Sequence, residues 1–234
     1  MAPGVPSLAQ VVIAIDGTAG AGKSTTSRGV ASRLGLRYLD TGAMYRALTW
    51  EMLRSGTPVT DPDAVAARAA LVTVDSGTDP AQPTIGVDGV DVSREIRSDR
   101  VTAAVSQVSA VPEVRRLMVL RQRREIADGG IVVEGRDIGT VVAPDADLKI
   151  FLTADPVARA ERRAAELTSR HNRDVGFVEA DLARRDTADS SRAVSPLAVA
   201  VDAITVDSTR MSLDEVVDEI VGLALARVAV RRGG

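Results

Sequence analysis

The sequence predicts an α/β fold: a parallel sheet wrapped by helices in three layers. Three observations carry this. Short apolar runs of strand length, residues 11–15, 131–133 and 148–152, alternate with longer helical stretches. A glycine-rich turn, Gly17-Thr18-Ala19-Gly20-Ala21-Gly22-Lys23-Ser24-Thr25, joins the first strand to the first helix. The chain has 234 residues, 45% of them apolar, which suits one sizeable domain and is short for two.

Each element has its own signal. Residues 11–15 are uniformly apolar and read as a buried strand, and residues 25–34 read as the helix that follows. Arg37-Tyr38-Leu39 is a short second strand, after which Asp40-Thr41-Gly42 opens a helix to about Arg54. Ser55-Gly56-Thr57-Pro58 stops that helix. Asp61 N-caps an alanine-rich helix over 61–71. Residues 72–74 and 84–87 are short strands around a Gly/Pro/Asp turn, with a second turn at Asp88-Gly89, so a small antiparallel insert is expected. Two helices follow, over 99–109 and 112–128. The second has Pro112 in its first turn and Gly129-Gly130 behind its end. The strand at 131–133 ends on Glu134-Gly135-Arg136-Asp137, and a further strand spans 148–152. Asp155-Pro156 caps an arginine-rich helix to about Thr168. A helix over 176–186, a last strand over 203–206 and an amphipathic helix over 212–228 complete the chain. Ser212-Leu213-Asp214-Glu215 forms a capping box at the start of the last helix. Residues 1–8 and 231–234 are expected to be disordered.

Composition narrows the function. A net charge of −3 argues against a dedicated nucleic-acid or membrane-surface protein. The basic residues are clustered all the same, over 115–124 and 159–192, which suits a small anionic ligand. With no cysteine there is neither a disulfide nor a thiolate zinc site. The first ten residues lack the basic start and apolar core of a signal peptide, and no window nears the ~20 apolar residues of a membrane span. A cytoplasmic protein is expected, and a monomer, since no heptad or apolar face asks for a partner.

The strand–glycine turn–helix context makes G-x-x-x-x-G-K-S a phosphate-binding loop (P-loop). Gly17, Gly20 and Gly22 let the backbone N–H groups of Gly17, Thr18, Ala19, Gly20, Ala21, Gly22, Lys23, Ser24 and Thr25 curl round a polyphosphate, such as that of ATP or another nucleoside triphosphate, at the positive end of a helix. Lys23 reaches the β- and γ-phosphates, and the Ser24 hydroxyl ligates Mg²⁺. Of 29 basic residues only Lys23 and Lys149 are lysine. Neither the N-K-x-D signature of a GTPase nor an L-S-G-G-Q-like transporter signature is present. Arginines at strand ends and turns (Arg46, Arg136 and the run from Arg184 to Arg192) suggest two phosphoryl groups to clamp, a donor and an acceptor. That is the arrangement of a small-molecule kinase. Taken alone, Arg159, Arg162 and Arg163 read as a solvated helix face, with ATP contact as the alternative. Arg170, Arg173 and Arg184 suit lid electrostatics, Trp50 and Tyr45 suit the core, and His171 has no assigned role.

The chain resembles the bacterial cytidylate kinases, of the nucleoside monophosphate kinase family, from about residue 11 to 226. The resemblance rests on the P-loop together with Leu39-Asp40-Thr41-Gly42-Ala43-Met44-Tyr45-Arg46, Ala104-Val105-Ser106-Gln107-Val108, Glu134-Gly135-Arg136-Asp137-Ile138-Gly139-Thr140, Arg192-Ala193-Val194-Ser195-Pro196-Leu197 and Asp207-Ser208-Thr209. It implies one catalytic domain over 1–234, with a core of about 11–60, 128–165 and 200–228. It also implies a monophosphate-binding insert of about 61–127 and a mobile lid of about 166–199. By the same resemblance Ser106, Arg115 and Glu134 recognise cytosine, Arg46, Arg136 and Arg192 hold the acceptor phosphate, and Arg185 and Asp189 meet the ribose. Thr41 supplies the family's hydroxyl after the aspartate, and Asp137 belongs to the CMP site, orienting Arg136 or a metal-bound water. Lys23, Arg136 and Arg185 are the expected transition-state contacts. Glu134 stands where many relatives carry aspartate, and Thr41 where serine is common.

Cytosine offers an N4 donor beside the N3 and O2 acceptors, whereas uracil offers an O4 acceptor beside N3–H. A carboxylate facing N4 and an arginine facing the acceptors therefore select cytosine, and a buried mismatch costs ~10²–10⁵ in discrimination. The acceptor phosphate is already ionised, so in-line transfer from ATP needs Mg²⁺ and cations but no general base. Two rivals remain at this point: a P-loop kinase with another acceptor, such as shikimate, and a nucleotide-switched regulatory module.

Overall fold

The computed structural model describes residues 8–168 and 175–231. Among them, β1 (Val12–Gly17), β2 (Arg37–Asp40), β6 (Ile131–Glu134), β7 (Leu148–Thr153) and β8 (Ile204–Asp207) form one parallel sheet in the order β2-β6-β1-β7-β8. Successive side chains of a strand point to opposite faces, and here both faces are apolar. Ile13, Ile15, Val132, Leu148, Ile150 and Leu152 pack in one layer with residues of α1 (Lys23–Leu34) and α8 (Leu213–Arg231). Ala14, Leu39, Ile131 and Val133 face the other layer, built by α2 (Thr41–Arg54), α3 (Pro62–Ala69), α4 (Asp99–Ala110) and α5 (Pro112–Ile126). Full burial of such side chains is worth roughly 1.5–3 kcal/mol each; the charged groups inside the central strands, Asp16 of β1 and Lys149 of β7, are both buried and hydrogen-bonded.

The insert shares that second layer. Its strands β3 (Val74–Ser76), β4 (Ile85–Val87) and β5 (Val90–Asp91) are antiparallel, and Val74, Ile85 and Val87 join the same apolar cluster as Leu39 and Val133. The first insert strand starts at residue 74 and not 72, because the Val72 backbone is engaged elsewhere: its N–H donates to the Ala69 carbonyl at the end of α3 (3.4 Å) and its carbonyl accepts from Arg121. The third strand was not anticipated. It pairs across Asp88-Gly89, both at positive φ (49° and 79°), the conformation that a two-residue hairpin requires. A 3₁₀ turn, Glu95–Arg97, leads into α4.

Downstream, α6 (Pro156–Thr168) and α7 (Val175–Ser190) form an arm beside the P-loop. The second of these helices runs past both predicted ends. Of the segments expected to be disordered, residues 1–7 and 232–234 lie outside the described residues, as do Arg170, His171 and Arg173. The capping box is present: Ser212 N–H donates to Glu215 (2.8 Å) and Glu215 N–H to Ser212 Oγ (3.3 Å). Among the described residues no helix is long and apolar enough to cross a membrane.

Strand register sets the position of the site. Glu134 pairs with Ile15 on one side and Asp40 on the other, so the carboxyl ends of β1, β6 and β2 lie side by side. In open α/β sheets ligands bind at these ends. Gly17 closes β1 at φ 150°, where an added Cβ would stand 1.9 Å from the Leu152 carbonyl oxygen, so only glycine lets the P-loop leave the sheet here.

Candidate active site

A cavity of about 440 Å³ opens over these strand ends. Its walls combine the P-loop (Ala19, Gly20, Gly22, Lys23, Ser24, Thr25), the β2–α2 junction (Asp40, Gly42, Ala43, Arg46), the insert (Ile96, Arg97), Glu134-Gly135-Arg136 and the arm (Arg163, Leu182, Arg185). Six of these groups are cationic and two are carboxylates. Such a surplus in a concave, partly dry site favours a polyanion.

The P-loop is formed as the motif predicts, except that the Ala19 N–H, expected to face the phosphates, donates instead to Asp186 Oδ1 (2.8 Å) because the arm packs on the loop from outside. Gly22, left-handed at φ 86°, caps α1, so the helix starts at Lys23 with its N-terminal amides toward the cavity. Lys23 is buried, and its Nζ donates to the carbonyls of Gly17 (2.9 Å) and Thr18 (2.7 Å). Burial, with Arg136 adding, pulls its ammonium down to about 7. Ser24 and Thr25 are exposed to the cavity.

Glu134 takes a place other than the expected one. Its carboxylate accepts a short hydrogen bond from the Tyr38 hydroxyl. Burial, helped by Asp40, pushes it up to about 7, against the pull of Lys23 and hydrogen bonds from Tyr38 and Ser24. It therefore sits at the phosphate end, beside Lys23 and Ser24. The acid joined to Arg115 is instead Asp137, at 2.7 Å in a pair that is almost wholly buried. Arg115 also donates to the Ser109 carbonyl (3.1 Å) and stacks over the Tyr45 ring at 5.2 Å. The physical reason is where the strand ends. Glu134, still within β6, is held over the P-loop side, while Asp137 lies past the turn, where α5 approaches.

Asp137 does not orient Arg136. That arginine donates through Nε to Asp189 (2.8 Å), and Asp189 also takes Arg192. Burial opposes the Asp189 charge, but Arg136 and Arg192 hold its carboxyl below the usual carboxylate range. Arg192 in turn feels Arg115 and Asp137, so one network runs from Arg136 through Asp189 and Arg192 to the Arg115–Asp137 pair. Ser106, half-buried on α4, does not line the cavity. Nor do Arg115, Asp137, Asp189 and Arg192, which lie behind its wall in that network, nor Thr41, whose hydroxyl donates to the Glu134 carbonyl (2.7 Å) and fixes the strand end.

Arg46 and Arg185 do line it. Arg46 donates to the Ile96 carbonyl (3.1 Å) and Thr102 Oγ1 (3.0 Å). Burial, then the charges of Arg185 and Arg163, lower its guanidinium to about 9. Arg185 is lowered too, by burial and then by Arg136.

Sequence reasoning missed four groups. Asp16 is buried under the P-loop, accepting from Ile138 N–H (2.9 Å) and Gly139 N–H (2.8 Å), and burial raises it to about 6. This carboxylate organises the unanticipated π turn, Ile138–Val142. An acid inside an otherwise apolar strand was its signal. Tyr38 and Arg97 had no signal beyond neighbouring a motif. Arg159 overturns the solvated-face reading: it is 8% exposed and bonded to Ala19 and Asp186, because the arm packs that face on the P-loop. Arg162 is likewise engaged, by Ser208, and Arg163 lines the cavity.

The family model described as cytidylate kinase matches residues 13–225. A cytidylate kinase of Streptomyces griseus subsp. griseus is 56% identical over 215 residues, covering 91% of this chain and 92% of its own. One of Streptomyces avermitilis is 54% identical over 223 residues, covering 94% and 95%. One of Nocardia farcinica is 56% identical over 212 residues, covering 90% and 91%.

Proposed function

The chain belongs to the cytidylate kinase family, and from that premise we propose that it transfers the γ-phosphoryl group of ATP to CMP and dCMP, releasing ADP and CDP or dCDP. The observation that carries the reading is the cavity itself, with a P-loop at one end and Arg46, Arg97, Arg136, Arg163 and Arg185 around the rest. A single nucleotide triphosphate occupies the loop end alone. The remaining arginines suit a second phosphorylated substrate, which neither a switch module nor a hydroxyl-acceptor kinase needs.

In the proposed reaction a phosphate oxygen of CMP attacks the γ-phosphorus in line, and the bond to the β,γ-bridging oxygen breaks. A phosphate monoester is largely ionised near neutral pH, so no side chain removes a proton. The amides of the P-loop hold the ATP phosphates, Lys23 balances the charge on the β- and γ-groups, and Arg136 and Arg185 meet the transferring group. Ser24 and Glu134 together fit Mg²⁺, a hard cation that takes one or two protein oxygens and completes its shell with phosphates and water. When bound, Mg²⁺ neutralises charge on the triphosphate. Arg46 and Arg192 hold the acceptor phosphate, and Asp189 and Arg185 meet the ribose.

For the base, the reading moves the acid from Glu134 to Asp137. The remaining oxygen of Asp137 accepts from cytosine N4 while Arg115 donates to N3 and O2, with Ser106 alongside. The joined network from Arg136 to Arg115 supports this, since it would sense base and phosphate as one unit. The reading also carries a core, a monophosphate-binding insert and a lid with the boundaries expected above, and a monomeric protein of the cytoplasm. The test is ADP release from ATP and Mg²⁺ with CMP, dCMP, UMP, AMP or shikimate as acceptor. Strong turnover with CMP and dCMP, weak with UMP and none with shikimate is expected. Turnover that ignores the acceptor contradicts it.

A further inference from the structure

The arm grips the P-loop from outside. Ala19 is 2% exposed and packs with Ala160 and Ala164 of α6 and Val178 and Leu182 of α7. Gly20, at φ 78°, is tightly covered: a Cβ there would crowd Leu182 Cδ1 at 3.1 Å and the Arg159 carbonyl oxygen at 3.2 Å. Both backbone polar groups of Ala19 are engaged by this arm. Its N–H donates to Asp186 Oδ1 (2.8 Å), and its carbonyl accepts from Arg159 Nη1 (2.9 Å).

Arg159 and Asp186 are themselves an ion pair, from different helices and 27 residues apart in the chain. Arg159 Nε also donates to the Ala154 carbonyl (3.2 Å), just beyond β7. The result is a closed ring: amide, carboxylate, guanidinium, carbonyl. Neither charged group of the ring lines the cavity, yet Arg163 lies one turn beyond Arg159, and Arg185 precedes Asp186. A charge-assisted ring of largely buried groups is stiff, because opening any bond leaves another partner unsatisfied.

We propose that Arg159 and Asp186 are a positioning pair for the phosphoryl transfer, holding the Thr18-Ala19-Gly20 arch and the α6–α7 arm in one fixed relation. The inference rests on the kinase reading above. Neither residue touches a phosphate. The pair keeps the loop amides in register with Arg163 and Arg185, which approach the same phosphates from the arm.

The test compares Asp186→Ala, Asp186→Asn, Arg159→Met and the Asp186→Ala/Arg159→Met double variant. The readouts are kcat, KM for ATP and CMP, ATP hydrolysis without CMP, and Kd for ATP. Each disruptive single variant is expected to lower kcat about 10–10²-fold, as a misplaced reacting group does. The ratio of ATP hydrolysis to transfer rises, because a loosened arm admits water. The double variant is no worse than either single one, since one ring is broken in all three. Asp186→Asn keeps an acceptor for Ala19 N–H but turns its N–H₂ toward Arg159 Nη1, so it also opens the ring and loses kcat with the other single variants. Wild-type kcat and wild-type hydrolysis ratio in the single variants, assayed well below their Tm, overturn the proposal, even if Tm has fallen. So do losses that simply add. If the wild-type chain does not transfer to CMP, the function reading falls. The pair is then judged on ATP Kd, which Asp186→Ala and Arg159→Met must each weaken and the double variant must weaken no further.

Discussion

Helix α2 carries two electrostatic environments five residues apart. At Glu51 a fully buried carboxylate receives Arg54 through Nε (2.6 Å) and Nη2 (3.0 Å), and Arg68 as well. Burial opposes the Glu51 charge, but the hydrogen bonds from Arg54 and Arg68 outweigh it and keep the carboxyl below its ordinary range. At Arg46 the surroundings have the opposite balance. Burial and the neighbouring Arg185, Arg163 and Arg97 pull the guanidinium down against the opposing pull of Asp40. The first cluster is complete in itself. The second is a concentration of like charge around a buried guanidinium, which an arriving anion relieves. Arginine count does not separate structure from function in this chain, whereas the balance of charge around each arginine does.

The largest expected effect comes from removing a cation at the second cluster. Arg185→Met should lower kcat by about 10³–10⁵, the range for an arginine that meets the transferring group. Its Tm without nucleotide should hold or rise, because one like charge has left the cleft. Steady-state kinetics and a melting curve together check this. A fall in Tm comparable to the loss of turnover would show that the cluster is structural after all.

Next is pH. The Glu134 carboxyl is raised to about 7 and the Lys23 ammonium lowered to about 7. The ionised acid and the protonated amine are the forms that serve binding. Activity in kcat/KM for ATP should therefore fall below neutral as Glu134 protonates and above neutral as Lys23 deprotonates, up to tenfold per pH unit on each limb. The two face each other, so the limbs report the pair. The alkaline limb should be absent from kcat, because bound phosphates restore the charge on Lys23. An alkaline limb near ~10, where an ordinary lysine titrates, would show that Lys23 is not buried as described. The smallest effect belongs to the complete cluster. Glu51→Gln should lower Tm by a few degrees and leave kcat alone, and a drop in kcat would erase the contrast between the two ends of α2.

How much of this was legible depends on how local each signal is. The P-loop was readable because strand, glycine turn and helix are contiguous, and its residues stand where the motif puts them. The helix caps at Asp40 and Ser212 were readable for the same reason. The acid that meets Arg115 was not. Glu134 and Asp137 lie three residues apart in a single charged turn, and only the direction of the β6 end relative to α5 decides which one meets Arg115. Arg159 was misread because helical spacing shows which residues share a face but not what that face packs on. Asp186, 27 residues away, supplies the partner that makes its burial tolerable.

The most direct test of the central claim, that this cleft joins two phosphate sites to a cytosine reader, is label transfer from γ-labelled ATP to CMP and to UMP. It should be run on the wild-type chain and on Asp137→Asn. The account predicts that the wild type favours CMP by at least ~10² in kcat/KM. In the variant that preference should collapse, because an amide in place of the carboxylate can donate to uracil O4. A variant that keeps the wild-type preference would contradict the account and return the role of base-reading acid to Glu134.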